Sequence, residues 1–221
     1  MAPNRKLSKH VSVRAPLVCK TGLHIGGTEA GMAIGGAEGP VIKDSKGIPY
    51  IPGSSLKGKL RSMLEYKYKR GEDGNPCACG LDLKTCPVCT IFGPHRNVRH
   101  ELGPTRIIIR DATLTEKSLK DWEAARSEGR DFTETKTETA IDRKTGMAYR
   151  GSLRQQERVN PGTEFQLNIV LRIFENDDEA KIVELVREGI NLINKDYLGG
   201  SGTRGYGWVE VKDKDIEVKD L

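Results

Sequence analysis

Residues 10–19, HVSVRAPLVC, alternate between apolar and polar side chains, the two-residue period of a half-buried strand. Thr163–Phe174, TEFQLNIVLRIF, shows the cleanest alternation, and Thr105–Thr113 and Tyr206–Val211 predict two further strands. A different period marks the helices. Leu56, Leu60, Met63 and Leu64 recur at i, i+4, i+7 and i+8, behind Pro52-Gly53-Ser54-Ser55, which reads as a turn leading to a helix N-cap. Glu116–Ser127 reads as helical up to a break at Gly129. Ile182, Leu185, Val186, Ile190 and Ile193 form the stripe of a last helix, with Asp177 as its expected cap and Gly199-Gly200 as its stop. Three stretches fit neither period: glycine-rich Thr21–Pro40, a segment at about 71–103, and the polar segment 132–161, which reads as an insertion or hairpin. The order β-α-β then β-α-β predicts an α+β fold, with one ferredoxin-like, RRM-like (βαββαβ) core. Residues 1–221 read as a single domain carrying insertions at 71–103 and 132–161.

A chain of 221 residues can bury a core without disulfide staples. No apolar run approaches the ~18 residues of a membrane helix, and the N-terminus lacks a signal core. The expectation is a soluble cytoplasmic protein with no membrane partner. The net charge of +5 is mild, and its distribution is the stronger signal. Lys57, Lys59, Arg61, Lys67, Lys69 and Arg70 face a single acid, Glu65, between residues 54 and 70. Lys136, Arg143, Lys144, Arg150, Arg154 and Arg158 form a second basic set, whereas acids gather at 175–188 and in the last residues. Two basic surfaces on a nearly balanced chain predict a bound polyanion.

Four of the five cysteines fall within thirteen residues, Cys77-Ala-Cys79 and Cys86-Pro-Val-Cys89. A chain expected in a reducing compartment does not use them as disulfides. Pairs at this spacing predict structural Zn²⁺ held by four soft thiolates, with His95 or His100 as a possible replacement for one of them. A four-sulfur site has no open position for water, so catalysis is not expected there. Cys19, within a strand, reads as a core residue.

Near the C-terminus stands Gly199-Gly-Ser-Gly-Thr-Arg-Gly-Tyr-Gly207. It lies between a helix and a strand, the wrong order for a dinucleotide fold. Its glycines, Gly200 and Gly202 among them, allow close backbone approach to phosphate, with Arg204 as a charged contact. Together with Thr21-Gly-Leu-His-Ile-Gly-Gly27, Ile51-Pro-Gly-Ser-Ser-Leu-Lys-Gly-Lys-Leu-Arg61, Glu134-Thr-Lys-Thr-Glu-Thr-Ala-Ile-Asp-Arg143 and Asp196-Tyr-Leu-Gly-Gly200, this loop resembles the RAMP superfamily of CRISPR systems. Over nearly its full length the chain resembles the repeating backbone subunit of type III-A (Csm-type) effector complexes.

That resemblance implies a filament of copies, joined by other type III subunits, that holds a guide RNA and its complementary target RNA. Ser54, Ser55, Lys57, Lys59 and Arg61 match the segment that binds the guide backbone, and hydroxyls at a helix N-terminus suit that task. His24 is a candidate RNA contact. Residues 132–161 match the family's thumb, in which Lys136, Arg143, Arg154 and Arg158 would meet phosphates and Met147 and Tyr149 would wedge or stack. The family cleaves target RNA with a divalent metal such as Mg²⁺ and a loop aspartate just before a Pro-Val pair. Here Glu38 occupies that position, ahead of Pro40-Val41. Glu29 and Asp44 do not match it, and Asp44 reads as a turn residue. Two alternatives stay open: a non-catalytic RNA-binding filament subunit, and a histidine-dependent nuclease that processes guide precursors.

Overall fold

The computed structural model describes residues 5–27, 39–71, 74–96 and 98–221. Its centre is an antiparallel sheet whose strands lie in the order β2 (Ile107–Ile109), β6 (Glu164–Phe174), β1 (Leu7–Cys19), β7 (Val209–Glu210). The two long central strands are β1 (Leu7–Cys19) and β6 (Glu164–Phe174), in register from Val18 opposite Glu164 to His10 opposite Arg172. Alternation places Val11, Val13, Ala15, Leu17 and Cys19 on one face beside Phe165, Leu167, Ile169, Leu171 and Ile173, all buried. Helices α1 (Gly53–Lys67) and α4 (Glu179–Asn194) cover that face with Leu56, Leu60 and Leu64 and with the predicted 182–193 stripe. Burial pushes the Cys19 thiol up to about 12, as its place in the core requires.

The 105–113 segment forms two short strands instead of one, β2 (Ile107–Ile109) and β3 (Thr113–Leu114), both paired with β6. The break serves α1. Asp111 turns aside and its carboxylate accepts a hydrogen bond from the Gly53 amide at 2.7 Å. Pro52 is the N-cap residue and offers no side-chain acceptor, so Ser54 and Ser55 lie inside the first turn rather than capping it. Helix α3 (Glu116–Ser127) follows, capped by Thr115.

At the start of α4 the cap is Asp178, which accepts from the Lys181 amide, and not Asp177. Asp177 is needed elsewhere. It makes a bidentate pair with buried Arg106, at 3.1 Å to Nε and 3.0 Å to Nη2, a geometry that compensates the burial of a guanidinium. Helix α4 stops at Asn194, short of the glycines. Beyond the predicted last strand, reduced to β7 (Val209–Glu210), the chain adds β8 (Glu217–Asp220) along β1.

Two further parts stand beside this sheet. Helix α2 (Pro87–Phe92), unforeseen in the cysteine segment, packs beside α1. Strands β4 (Thr133–Glu138) and β5 (Arg154–Val159) form a separate antiparallel pair, so the polar 132–161 segment is a hairpin at its base. Among the described residues no helix is long and apolar enough to cross a membrane.

Candidate nucleic-acid interface and metal centre

The glycines of the loop let the protein's own groups pack closely against its backbone. After α4 the chain crosses Lys195–Leu198 and enters Gly199, where φ is +79° and a Cβ would lie 2.2 Å from the His24 carbonyl oxygen, leaving no room for a side chain. A Cβ on Gly202 would lie 1.9 Å from the Tyr197 ring. Residues Gly202–Arg204 then make one 3-10 turn, and Tyr206 drops into the interior.

Three other elements close on this loop. From the first strand's exit, His24 accepts the Gly200 amide through its carbonyl at 2.9 Å, and its ring Nδ1 lies 2.7 Å from the Glu157 carbonyl. From α1, Lys59 donates to Asp196 at 2.7 Å and sits 3.9 Å above the Tyr197 ring. From the β4–β5 hairpin, Glu134, Lys136 and Glu138 share one strand face, and Gln156 and Arg158 share the matching face of β5. That face meets the loop. Lys136 Nζ and Arg158 Cζ lie 4.4 and 5.1 Å from the Tyr206 ring centre, and Glu138 Oε2 is 2.9 Å from Arg204 Nε. Arg158 is also 2.7 Å from Glu134, its cross-strand partner. Burial opposes the ionised Glu138 carboxyl, but the Tyr206 hydroxyl, Arg204 and Lys136 together hold its pKa below the ordinary range.

Of the residues singled out from the sequence, the fold thus brings together His24, Lys59, Lys136, Arg158, Gly200, Gly202 and Arg204. Ser54 is exposed on the first turn of α1, with Ser55 and Lys57 half-buried beside it. Arg143, Met147, Tyr149 and Arg154 are exposed along the hairpin's outer part, Met147 at 67% and Tyr149 at 61%. Arg61 is drawn away from this set. It donates to Glu65 at 2.8 Å and to the Cys77 carbonyl at 2.6 Å. Asp44 closes a turn by accepting the Lys46 and Ile48 amides.

Glu38 and Glu29 lie outside the described residues. The backbone that follows is held against β5: Gly39 bridges Gln156, the Gly39 carbonyl accepts the Glu157 amide at 3.0 Å, and the Val41 amide donates to the Glu157 carboxylate at 2.9 Å. Glu157 also accepts from Thr133 at 2.6 Å and Lys43 at 2.5 Å. The acids at 134, 138 and 157 were not singled out in the sequence. The signal for Glu134 and Glu138 was the strict alternation of Thr and charge in TETKTE, which predicts a strand with one charged face; Glu157, in RQQERV, carries no such signal.

The four cysteines converge as their spacing implies. The sulfurs of Cys77, Cys79, Cys86 and Cys89 all lie within 4.8 Å of one another, with contacts of 3.6–3.8 Å. A tetrahedron of ~2.3 Å metal–sulfur bonds has edges of ~3.8 Å, so the set fits a four-coordinate ion. The hydrogen bond with Cys89, then burial, pushes the Cys86 thiol up, and burial does the same to Cys79; thiolate ligation of a metal would have to overcome both. Neither histidine belongs to this group; His100 Nδ1 accepts the Leu102 amide at 3.2 Å instead.

Comparison with known proteins identifies the family. The sequence matches the RAMP superfamily over residues 17–210. It is 41% identical over 214 residues to the CRISPR system Cms endoribonuclease Csm3 of Methanocaldococcus jannaschii, covering 95% of this chain and 82% of that protein. The Csm3 endoribonuclease of Streptococcus thermophilus is 39% identical over 202 residues, covering 90% and 86%. Among solved structures, a Csm3–Csm4 subcomplex of the type III-A CRISPR–Cas interference complex superposes with a TM-score of 0.60 at 30% identity, covering 97% of this chain and 81% of that one. The chain belongs to the RAMP superfamily, as a member of its Csm3 family of type III CRISPR proteins.

Proposed function

We propose that this chain is the guide-RNA-binding backbone subunit of a type III CRISPR interference complex, that copies of it assemble as a filament, and that it cleaves complementary target RNA in the cytoplasm. The observation that carries this reading is the convergence of Lys59, Lys136, Arg158 and Arg204 on the glycine loop. Cations gathered at one loop suit a phosphodiester backbone, and base pairing with the guide then supplies sequence recognition. Ser54, Ser55 and Lys57 extend the cationic track, although Asp111 already takes the Gly53 amide.

We read the 2-6-1-7 strand order, with α1 and α4 on one face, as a ferredoxin-like core. The 71–103 segment is then a zinc knuckle on Cys77, Cys79, Cys86 and Cys89, and 132–161 a thumb. The thumb's exposed Met147 and Tyr149 are suited to wedge into a guide–target duplex, with Arg143 and Arg154 on its phosphates. Other type III subunits are the expected partners at the ends of the filament.

For cleavage, Glu38 is the carboxylate we assign. Glu157, which binds the strand just after it, is committed to Val41, Lys43 and Thr133. A divalent cation such as Mg²⁺, when bound, supplies charge neutralisation at the scissile phosphate. The longer Glu side chain at this position moves the carboxylate by more than ~1 Å relative to Asp, which lowers the rate without altering RNA binding. Filter binding of a labelled single-stranded RNA tests the binding half. Binding that weakens in Arg158→Glu, with melting unchanged, supports the reading; equal binding by the two proteins contradicts it.

A further inference from the structure

The cations assigned to RNA are not free. Arg204 is anchored at two points, through Nε on Glu138 and through Nη2 on the Ser201 hydroxyl, yet its side chain is 53% exposed. Lys136 Nζ is fixed between the Arg204 carbonyl at 3.3 Å and Glu138 Oε1 at 3.5 Å, over the Tyr206 ring. A single carboxylate, 19% exposed at the end of β4, therefore holds one cation of the glycine loop and one of the hairpin.

We propose, resting on the RNA-binding reading above, that Glu138 is a positioning residue that locks Arg204 and Lys136 into one phosphate-binding set and couples the hairpin to the glycine loop. An acid beside a polyanion site weakens binding by charge alone. Glu138 gains its value from geometry: a guanidinium held through its Nε edge keeps donors for phosphate in a single orientation. Ordering two long cationic side chains before RNA arrives removes that entropic cost from the binding step.

The two effects have opposite signs, which makes the test direct. Binding of a labelled single-stranded RNA is measured by filter retention for the full chain, Glu138→Gln, Arg204→Gln and the double variant. Glu217→Gln on β8 serves as a control for charge alone. The expected result is a loss of about ten-fold in Glu138→Gln, the scale of two side chains losing preorganisation. That loss occurs with unchanged melting, and it shrinks once Arg204 is already Gln, because only Lys136 is then left for Glu138 to hold. Equal or tighter binding by Glu138→Gln overturns the inference and leaves Glu138 as a counter-charge. A loss that adds in full to that of Arg204→Gln also overturns it. If the unaltered chain fails to bind RNA, the RNA-binding reading itself falls, and this inference with it.

Discussion

Arg61 Nη2 donates to the carbonyl of Cys77 at 2.6 Å, while the amide of the same cysteine donates to Glu65 at 2.8 Å. One turn of α1 thus grips both backbone groups of the first cysteine of the four-sulfur cluster. Arg61 and Glu65 are themselves paired, at 14% and 12% exposure, so the helix and the knuckle form one buried polar unit. The arginine read from the sequence as part of the guide contact is bonded here to Glu65 and to the Cys77 carbonyl.

Glu65→Ala is expected to leave Arg61 and the Cys77 amide without their acceptor. A broken buried network of this kind costs on the order of 3 kcal/mol. Metal release to a chelator should accelerate, while RNA affinity falls less than in Arg158→Glu. Unchanged metal release would detach α1 from the knuckle.

Metal analysis of the purified chain should give about one zinc per molecule. Removal of the ion should expose amides between Cys77 and Cys86, because a bound metal would cross-link the two cysteine pairs that close this loop. Hydrogen exchange before and after chelation reads this. Protection that is identical in both states would show that the thiols pack without help from a metal.

RNA affinity should fall steeply with salt, as phosphate contacts release counterions. Arg158→Gln is expected to flatten the slope of log K against log salt by about 0.7, the single-strand value for one phosphate. A slope near zero in the unaltered chain would remove the electrostatic basis of the interface.

Acid should weaken the link between the 39–43 segment and the hairpin. Burial opposes ionisation of Glu157, yet Lys43, Thr133 and the Val41 amide outweigh it and hold the folded pKa low. A depressed folded pKa contributes stability above the unfolded value of ~4.3, and that contribution is lost as pH falls through the folded value. Melting from pH 7 to 3 should therefore show a steeper acid loss in the unaltered chain than in Glu157→Gln. The variant should be less stable by about 1 kcal/mol at pH 7. Parallel curves would contradict this.

The long elements were legible because their periods are strong: β1, β6 and the stripes of α1 and α4 follow directly from apolar spacing. The glycine loop and the cysteine set were legible because their chemistry is local in sequence. What escaped was long-range pairing. Nothing near Asp111 tells that it caps a helix fifty-eight residues upstream, nor near Asp177 that it is claimed by Arg106. The same reason hid the acids. Glu138 and Glu157 look like ordinary solvated charges until the hairpin folds onto the loop.

Cleavage at Glu38 is tested most directly with the complex reconstituted on a guide, incubated with labelled complementary RNA in Mg²⁺. The account predicts a regularly spaced ladder of products that disappears in Glu38→Ala while RNA binding persists, and that strengthens in Glu38→Asp. A ladder of equal intensity from Glu38→Ala would contradict it. So would no ladder from the unaltered complex, which would identify a binding subunit whose chemistry resides elsewhere.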